Sequence, residues 1–307
     1  MIPFRDPQLA DRPWVEELFR VSGNQGCEYS FVTLYIWSQT YRQQIARMDD
    51  YVLVRLFGSL GYAYLFPAGS GELEPVLSAL EKDADERGEI CRFVCMTAEQ
   101  AKTLEELRPG MYQIEPDRDG WDYLYDIDRM ADLPGKKLHG KRNHIHRFMD
   151  ACPDWMVEVI DDGNLAECAE MDLEWNRRYR PDAATAQQEE ETLLNERHAM
   201  SRAFAAFHEL GLTGILIRSG GEVVAFTMGS HIGDGTFDLH FEKAYSDIQG
   251  AYPMIYREFA RWLREHVPGL RWLNREDDMG MEGLRRSKES YYPDQMVEKY
   301  TAVRRSM

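Results

Sequence analysis

Ser219, Gly220 and Gly221 separate two apolar runs, Leu212–Arg218 and Glu222–Gly229. Runs of that length around a glycine turn predict an antiparallel hairpin. Thr236–Ala244 extends it to a third strand. Around this series the apolar spacing predicts further elements in a fixed order. Met156–Ile160 is a short strand, followed by helices over about 164–178 and 186–209. After the hairpin series come an amphipathic helix over Gly250–His266, a strand at Leu270–Asn274, a short helix at Met281–Glu289 and a closing strand at Met296–Val303.

Strand, two helices, three antiparallel strands, helix, strand, helix, strand is the element order of the GNAT acyltransferase fold. In such a fold two parallel strands, here Thr236–Ala244 and Leu270–Asn274, splay at one end to admit an acyl carrier. The first half reads as a thinner copy. It has helices near 9–20 and 28–46, a hairpin Tyr51–Phe57/Tyr62–Phe66, a helix at about 72–87 and an apolar strand at Ile90–Met96. Thr97, with Gln100 three positions on, forms a capping box that starts another helix. Tyr112–Glu115 and Tyr123–Ile127 close this half, which lacks a third hairpin strand in this reading. The expected fold class is therefore mixed α/β, with two tandem GNAT-like domains. Residues 1–130 form a degenerate first domain. Residues 131–307 form the second, beginning with a basic helix over 136–150.

Charge narrows the ligands. The formal net charge is −17, which excludes nucleic-acid binding over the whole surface. Yet residues 136–147 hold Lys136, Lys137, Lys141, Arg142 and Arg147 and no acid. His139, Arg142, Asn143 and His146 share one flank of a helix there. That flank would grip phosphates of tRNA or CoA, or serve as a connector whose charges pair with the acidic remainder. Five irregularly spaced cysteines make no disulfide framework and fit a reducing compartment. No His or Cys set has metal-ligand spacing, so no metal is expected. No apolar run approaches a membrane span, and Met1–Trp14 lacks a signal core. A cytoplasmic location is the expectation. No oligomeric state follows from the sequence.

Four segments carry a family resemblance. They are the aromatic stretch from Tyr29-Ser30-Phe31 to Tyr41, the basic stretch from Leu133 to Phe148, Phe241-Glu242-Lys243-Ala244 with Gly250 and Tyr252, and the run from Asn274-Arg275-Glu276 through Asp278, Gly280, Lys288, Ser290, Tyr291 and Pro293. Together they resemble proteins related to the C-terminal domain of lysyl-phosphatidylglycerol synthases, over nearly the whole chain. That family includes membrane enzymes that move an aminoacyl group from tRNA to a lipid, and soluble stand-alone members. This chain is similar to the second kind. The resemblance implies tandem GNAT domains and a reaction class: transfer of an acyl or aminoacyl group from acyl-CoA or aminoacyl-tRNA to an amine or hydroxyl on a small-molecule or peptide acceptor. The alternative is a non-catalytic small-ligand sensor that retains the cleft.

Acyl transfer needs a base, a group to stabilise the oxyanion and an acid for the leaving group. Glu242 shares one strand face with His240 and Ala244 and is the candidate base; a surface ion pair is its structural alternative. Asn274, Arg275, Glu276 and Asp278 follow the parallel strand. The carboxylates of Glu276 and Asp278 suit an ammonium group, or Asp278 caps the next helix. Tyr291 is a candidate acid, or an aromatic packed on the sheet edge. Lys288 would meet an oxyanion or pair with Asp278, and Ser290 lies beside them. The carrier turn is weakly spelled. GNAT proteins use Arg or Gln, two residues, Gly, one residue, then Gly or Ala; here Asp247 to Tyr252 keeps only the central Gly250, followed by Ala251. Backbone amides at that helix start would face phosphates, but Asp247 opposes them, which favours a carrier other than CoA. Lys141, Arg142 and Asn143 complete the expected carrier contacts. Gly69-Ser70-Gly71, followed by Glu72 and Glu74, reads as a flexible turn.

Overall fold

The computed structural model of the chain describes residues 1–179 and 186–305, with side chains from residue 190 in the second stretch. In chain order the first elements are α1 (Arg12–Ser22), α2 (Phe31–Ile36), β1 (Gln44–Met48), β2 (Tyr51–Gly58), β3 (Gly61–Leu65), β4 (Ala68–Gly69), α3 (Leu73–Arg87), β5 (Arg92–Met96), α4 (Ala98–Leu107), β6 (Tyr112–Pro116) and β7 (Asp122–Asp126). There follow α5 (Ile127–Asp132), α6 (His139–Ala151), β8 (Met156–Val159), α7 (Leu165–Arg178), α8 (Ala186–Ala205), β9 (Thr213–Ser219), β10 (Glu222–Ile232) and β11 (Thr236–Ala244). The last are α9 (Ala251–His266), β12 (Trp272–Asn274), α10 (Glu282–Glu289), β13 (Gln295–Val297) and β14 (Tyr300–Arg304). This is the mixed α/β class expected. Among the described residues no helix is long and apolar enough to cross a membrane.

The chain forms two compact units. One holds Met1–Leu124, Ile232–Asp234 and Arg275–Met307; the other holds Tyr125–His231 and Gly235–Asn274. The expected single boundary at 130 differs from this division, because everything from Arg275 onward returns to the first unit. The cause is a non-local pairing. β14 lies antiparallel between β5, where Tyr300 meets Met96, and β6, where Tyr300 meets Pro116. Local periodicity shows that a strand exists but not which strand it will join.

The first unit's sheet runs β1-β2-β3-β5-β14-β6, with β4 against β2. Only β3 and β5 run parallel. Leu53, Phe66, Leu77, Leu80, Phe93 and Leu104 fill the core beneath it, each contributing about 1.5–3 kcal/mol when fully buried. Thr97 and Gln100 form the capping box of α4: Gln100 N donates to Thr97 Oγ1 at 3.2 Å, and Thr97 N donates to Gln100 Oε1 at 2.8 Å. One expected feature is corrected. The aromatic helix stops at Ile36, and Gln44–Met48 is a strand paired with β2. The first half thus does have a third antiparallel strand. Its turn runs through Asp49, whose φ is 52°.

In the second unit the strand order is β12-β11-β10-β9-β8. β9 to β11 are the three-stranded series expected around Gly220 and Gly221, and β8 adds to it antiparallel to β9. Helix α9 buries Met254, Ile255, Phe259 and Leu263. Phe259 meets Phe237 of β11 edge-on, with centroids 5.6 Å apart.

Candidate functional site

β12 is shorter than its expected span. β11 and β12 pair in parallel at Thr236↔Trp272, Phe237↔Leu273 and Asp238↔Asn274, and there β12 ends. Leu239–Ala244 of β11 run on beyond it. Alternation puts Asp238, His240 and Glu242 on one face of this strand. Glu242 is half-buried, whereas His240 and Asn274 are buried. His240 shares a hydrogen bond with Ser230 through Nε2 (2.8 Å), and its Nδ1 lies 3.5 Å from Asp238 Oδ2. His240 is therefore tied into the sheet.

Just past β11 a cavity of about 380 Å³ is lined by Trp175, Arg178, Tyr179, Tyr245, Ser246 and Asp247. Tyr252 accepts a hydrogen bond from Trp175 Nε1 at 3.1 Å. Burial pushes the Tyr252 hydroxyl up to about 12.

The start of α9 is closed. Gly250 has φ +87°, and a Cβ there would lie 2.0 Å from the carbonyl oxygen of His144 in α6. Ala251 is 1% exposed and donates its N–H to Ile248 O. The backbone of α6 thus packs on Gly250, the residue before α9. Arg142 is also turned inward, donating to the carbonyls of Leu133 and Gly135. Lys141 is half-buried, and the Asn143 amide shares a hydrogen bond with His139.

The remaining expected residues lie in the first unit, and the structure corrects three of them. Asp278 is fully buried and accepts five hydrogen bonds: two from Arg285, and one each from Tyr123, Gly280 N and Arg118. Burial alone would raise its pKa, but Arg285 and Tyr123 outweigh burial and hold it at about 2. All its acceptor capacity is used within the protein, so it is a structural anchor and not a ligand contact. Tyr291 is 3% exposed, with the Arg275 guanidinium over its ring at 5.2 Å; it packs as an aromatic and does not point out as an acid. Lys288 does not pair with Asp278. It donates to the carbonyls of Arg275 and Asp277, clamping a turn in which Glu276 has φ 55°. A non-glycine residue held there implies strain offset by its surroundings. Ser290 donates to Ser287 O and closes α10.

The same unit contains a group that sequence reading missed. Lys299, 1% exposed in the break between β13 and β14, places Nζ 2.6 Å from Glu28 Oε1, 2.6 Å from Asp122 Oδ1 and 3.6 Å from Cys27 Sγ. Cys27, Glu28 and Asp122 have the spacing of a metal-ligand set, but the Lys299 ammonium occupies its centre. Burial would lower the Lys299 pKa; the charges of Asp122, Glu28 and Asp277 more than reverse this and hold it well above its usual value. Nearby, burial and the charges of Asp122 and Glu28 raise Asp277 to about 7 against the opposing ammonium groups. Burial also raises Glu28 and lowers Lys288. Glu28 nevertheless keeps 15% of its side chain accessible, and Asp277 is half-buried. A carboxyl near 7 is suited to exchanging protons at neutral pH.

Comparison with known proteins bears on this geometry. Residues 19–303 match the model of the family described as phosphatidylglycerol lysyltransferase, C-terminal. A conserved protein of unknown function from Bacteroides thetaiotaomicron is 37% identical, with TM-score 0.91, over 99% of this chain and 100% of that one. L-PGS from Bacillus licheniformis is 16% identical at TM-score 0.67, covering 97% and 93%. The C-terminal domain of a putative lysylphosphatidylglycerol synthetase from Agrobacterium fabrum is 14% identical at the same TM-score and coverage. None of the curated proteins compared matches the chain.

Proposed function

The chain belongs to the phosphatidylglycerol lysyltransferase C-terminal family, and from that premise we propose that it is an aminoacyltransferase whose donor is aminoacyl-tRNA and not acyl-CoA. The carrying observation is the carrier turn before α9, where Asp247 would set a negative charge beside a CoA pyrophosphate and the His144 carbonyl packs on the central Gly250. The strand overhang of β11 supports acyl transfer as the reaction class. The acceptor is an amine or hydroxyl on a small molecule or peptide.

In this reading Glu242 takes the proton of the acceptor as its nitrogen or oxygen attacks the aminoacyl ester carbonyl. The ester C–O bond then breaks, and the departing ribose oxygen takes up the proton that Glu242 received from the acceptor. Removing a positioned base costs on the order of 10²–10⁴-fold in rate. Glu242→Gln should therefore slow acceptor-dependent release of labelled amino acid from charged tRNA by at least about 100-fold, with an unchanged melting curve. A variant as fast as the parent would remove Glu242 from the mechanism. Saturable binding of a small ligand without turnover would instead select the sensor.

A further inference from the structure

We infer that the cavity just past β11 is the acceptor subsite, and that it takes an acceptor with an amino-acid head, a carboxylate and an ammonium on one molecule. This deepens the aminoacyl-transfer reading and rests on it.

At about 380 Å³ the cavity lies at the lower end of the range for small-molecule sites. Its aromatic faces are already taken. Lys243 Nζ stands 3.8 Å from the Trp175 ring centre. Tyr179 stacks on the same indole, with centroids 4.9 Å apart. The Arg178 guanidinium lies 4.1 Å from the centre of the Tyr245 ring. Rings that already hold the protein's own cations do not make a cage for a quaternary ammonium; they wall the cavity with apolar surface.

Specific contacts fall to Arg178, Ser246 and Asp247. Of the residues lining the cavity, Arg178 is the cation and Asp247 the acid. A guanidinium has five N–H groups. Arg178 Nε donates to Glu174 at 2.8 Å, and the guanidinium makes no other hydrogen bond among the described residues. Its Nη1 lies 3.6 Å from Asp247 Oδ2, too far for a hydrogen bond. Ser246 and Asp247 are exposed, and neither side chain forms a hydrogen bond among the described residues. Opposite charges held just out of hydrogen-bond reach complement a zwitterion. The remaining Arg178 N–H groups and the Ser246 hydroxyl would donate to its carboxylate, and its ammonium would donate to Asp247.

The carboxylate assigns the cavity to the acceptor. An amino acid esterified to its carrier has no free carboxylate to offer Arg178. The cavity wall is also joined to the strand of the proposed base. Trp175 Nε1 donates to the carbonyl of Ala244, two residues past Glu242, at 3.0 Å. Ser246 is four residues past Glu242, at most about 13 Å along an extended chain. An acceptor gripped by its head at Arg178 and Asp247 would extend a second amine or a hydroxyl toward Glu242.

The test first reads binding by thermal shift and calorimetry on the full chain, with no carrier present. The probes are lysine, serine and tri-alanine, each beside its C-terminal amide and its N-acetyl form. At least one free compound should stabilise the protein saturably, with both blocked forms at least tenfold weaker. Arg178→Met should weaken the free compound at least tenfold and leave its amide unchanged. Arg177→Met, which removes a neighbouring cation outside the cavity, should match the parent. As the acceptor in a transfer assay, the bound compound should show a KM at least tenfold higher in Arg178→Met, with kcat little changed. No saturable binding of any free compound would overturn the subsite. So would equal binding of free and amidated forms, or a tetramethylammonium ion bound in their place. An acceptor KM unmoved by Arg178→Met would overturn the acceptor role. Transfer to the bound compound from acetyl-CoA, with the same KM shift, would sink the donor reading and leave this subsite standing, so the two failures are distinguishable.

Discussion

Replacing Lys299 with methionine should destabilise the protein by about 3–5 kcal/mol, because it strands buried carboxylates that the ammonium now compensates. The side chain of Asp122 is fully buried, and that of Glu28 is 15% exposed. Each is 2.6 Å from Nζ. Methionine fills much of the volume but donates nothing. The loss should depend on pH, with a definite sign. A carboxyl that is more basic in the folded than in the unfolded chain gives the folded chain more bound protons, so stability falls as pH rises through the interval between the two pKa values. Asp277, at about 7 in the fold, already gives the parent a slope of this sign between the ordinary carboxyl range and neutrality. In K299M the stranded carboxylates add to it. Urea midpoints should therefore separate more at pH 8 than at pH 5, and Asp122→Asn in the K299M background should recover part of the loss. An equal separation at both pH values would mean that the Lys299 charge is not what compensates Asp122 and Glu28.

Gly250→Ala should cost about 3 kcal/mol or more. Two penalties combine. A left-handed backbone costs a residue with a Cβ roughly 1–2 kcal/mol. The new methyl group would also lie 2.0 Å from the His144 carbonyl oxygen and 3.2 Å from Phe148 Cβ, where backbone must move to make room. Gly220→Ala separates the two effects. Gly220 also has positive φ, at 62°, but nothing lies within 4 Å of its Cβ position, so only the backbone penalty applies. Denaturant unfolding of the pair should show the Gly250 variant to be the weaker by a clear margin. If the two variants lose the same stability, α6 does not press on the start of α9.

These two positions also show what was legible beforehand. Gly250 stands out in the sequence as the central glycine of a carrier turn, and the departures at Asp247 and Tyr252 favour a carrier other than CoA. That a helix backbone lies on this glycine is a non-local contact that no spacing reveals. Lys299 gave no signal: it sits among residues that read as one closing strand, and its partners Glu28 and Asp122 lie 271 and 177 positions away. Features set by neighbours in sequence were readable, such as the Thr97 box, the turn at Gly220 and Gly221, and the helix through Met254 and Phe259. Asp278 shows the opposite limit. Its place in a polar run after a strand suggested ligand contact, but the same exposed-looking run folds inward onto Arg285 and Tyr123. β1 was missed because Trp37 and Tyr41 continue a helical spacing past the residue where the helix actually stops.

The most direct test of the whole account sets the two carriers against each other in one assay. Purified protein is given tRNA charged with a mixture of labelled amino acids, or acetyl-CoA, each with the same pool of small amines, peptides and hydroxyl acceptors. The account predicts acceptor-dependent loss of the aminoacyl ester, with the CoA thioester left intact and no saturable thermal stabilisation by CoA. Turnover of acetyl-CoA, with charged tRNA untouched, would contradict it.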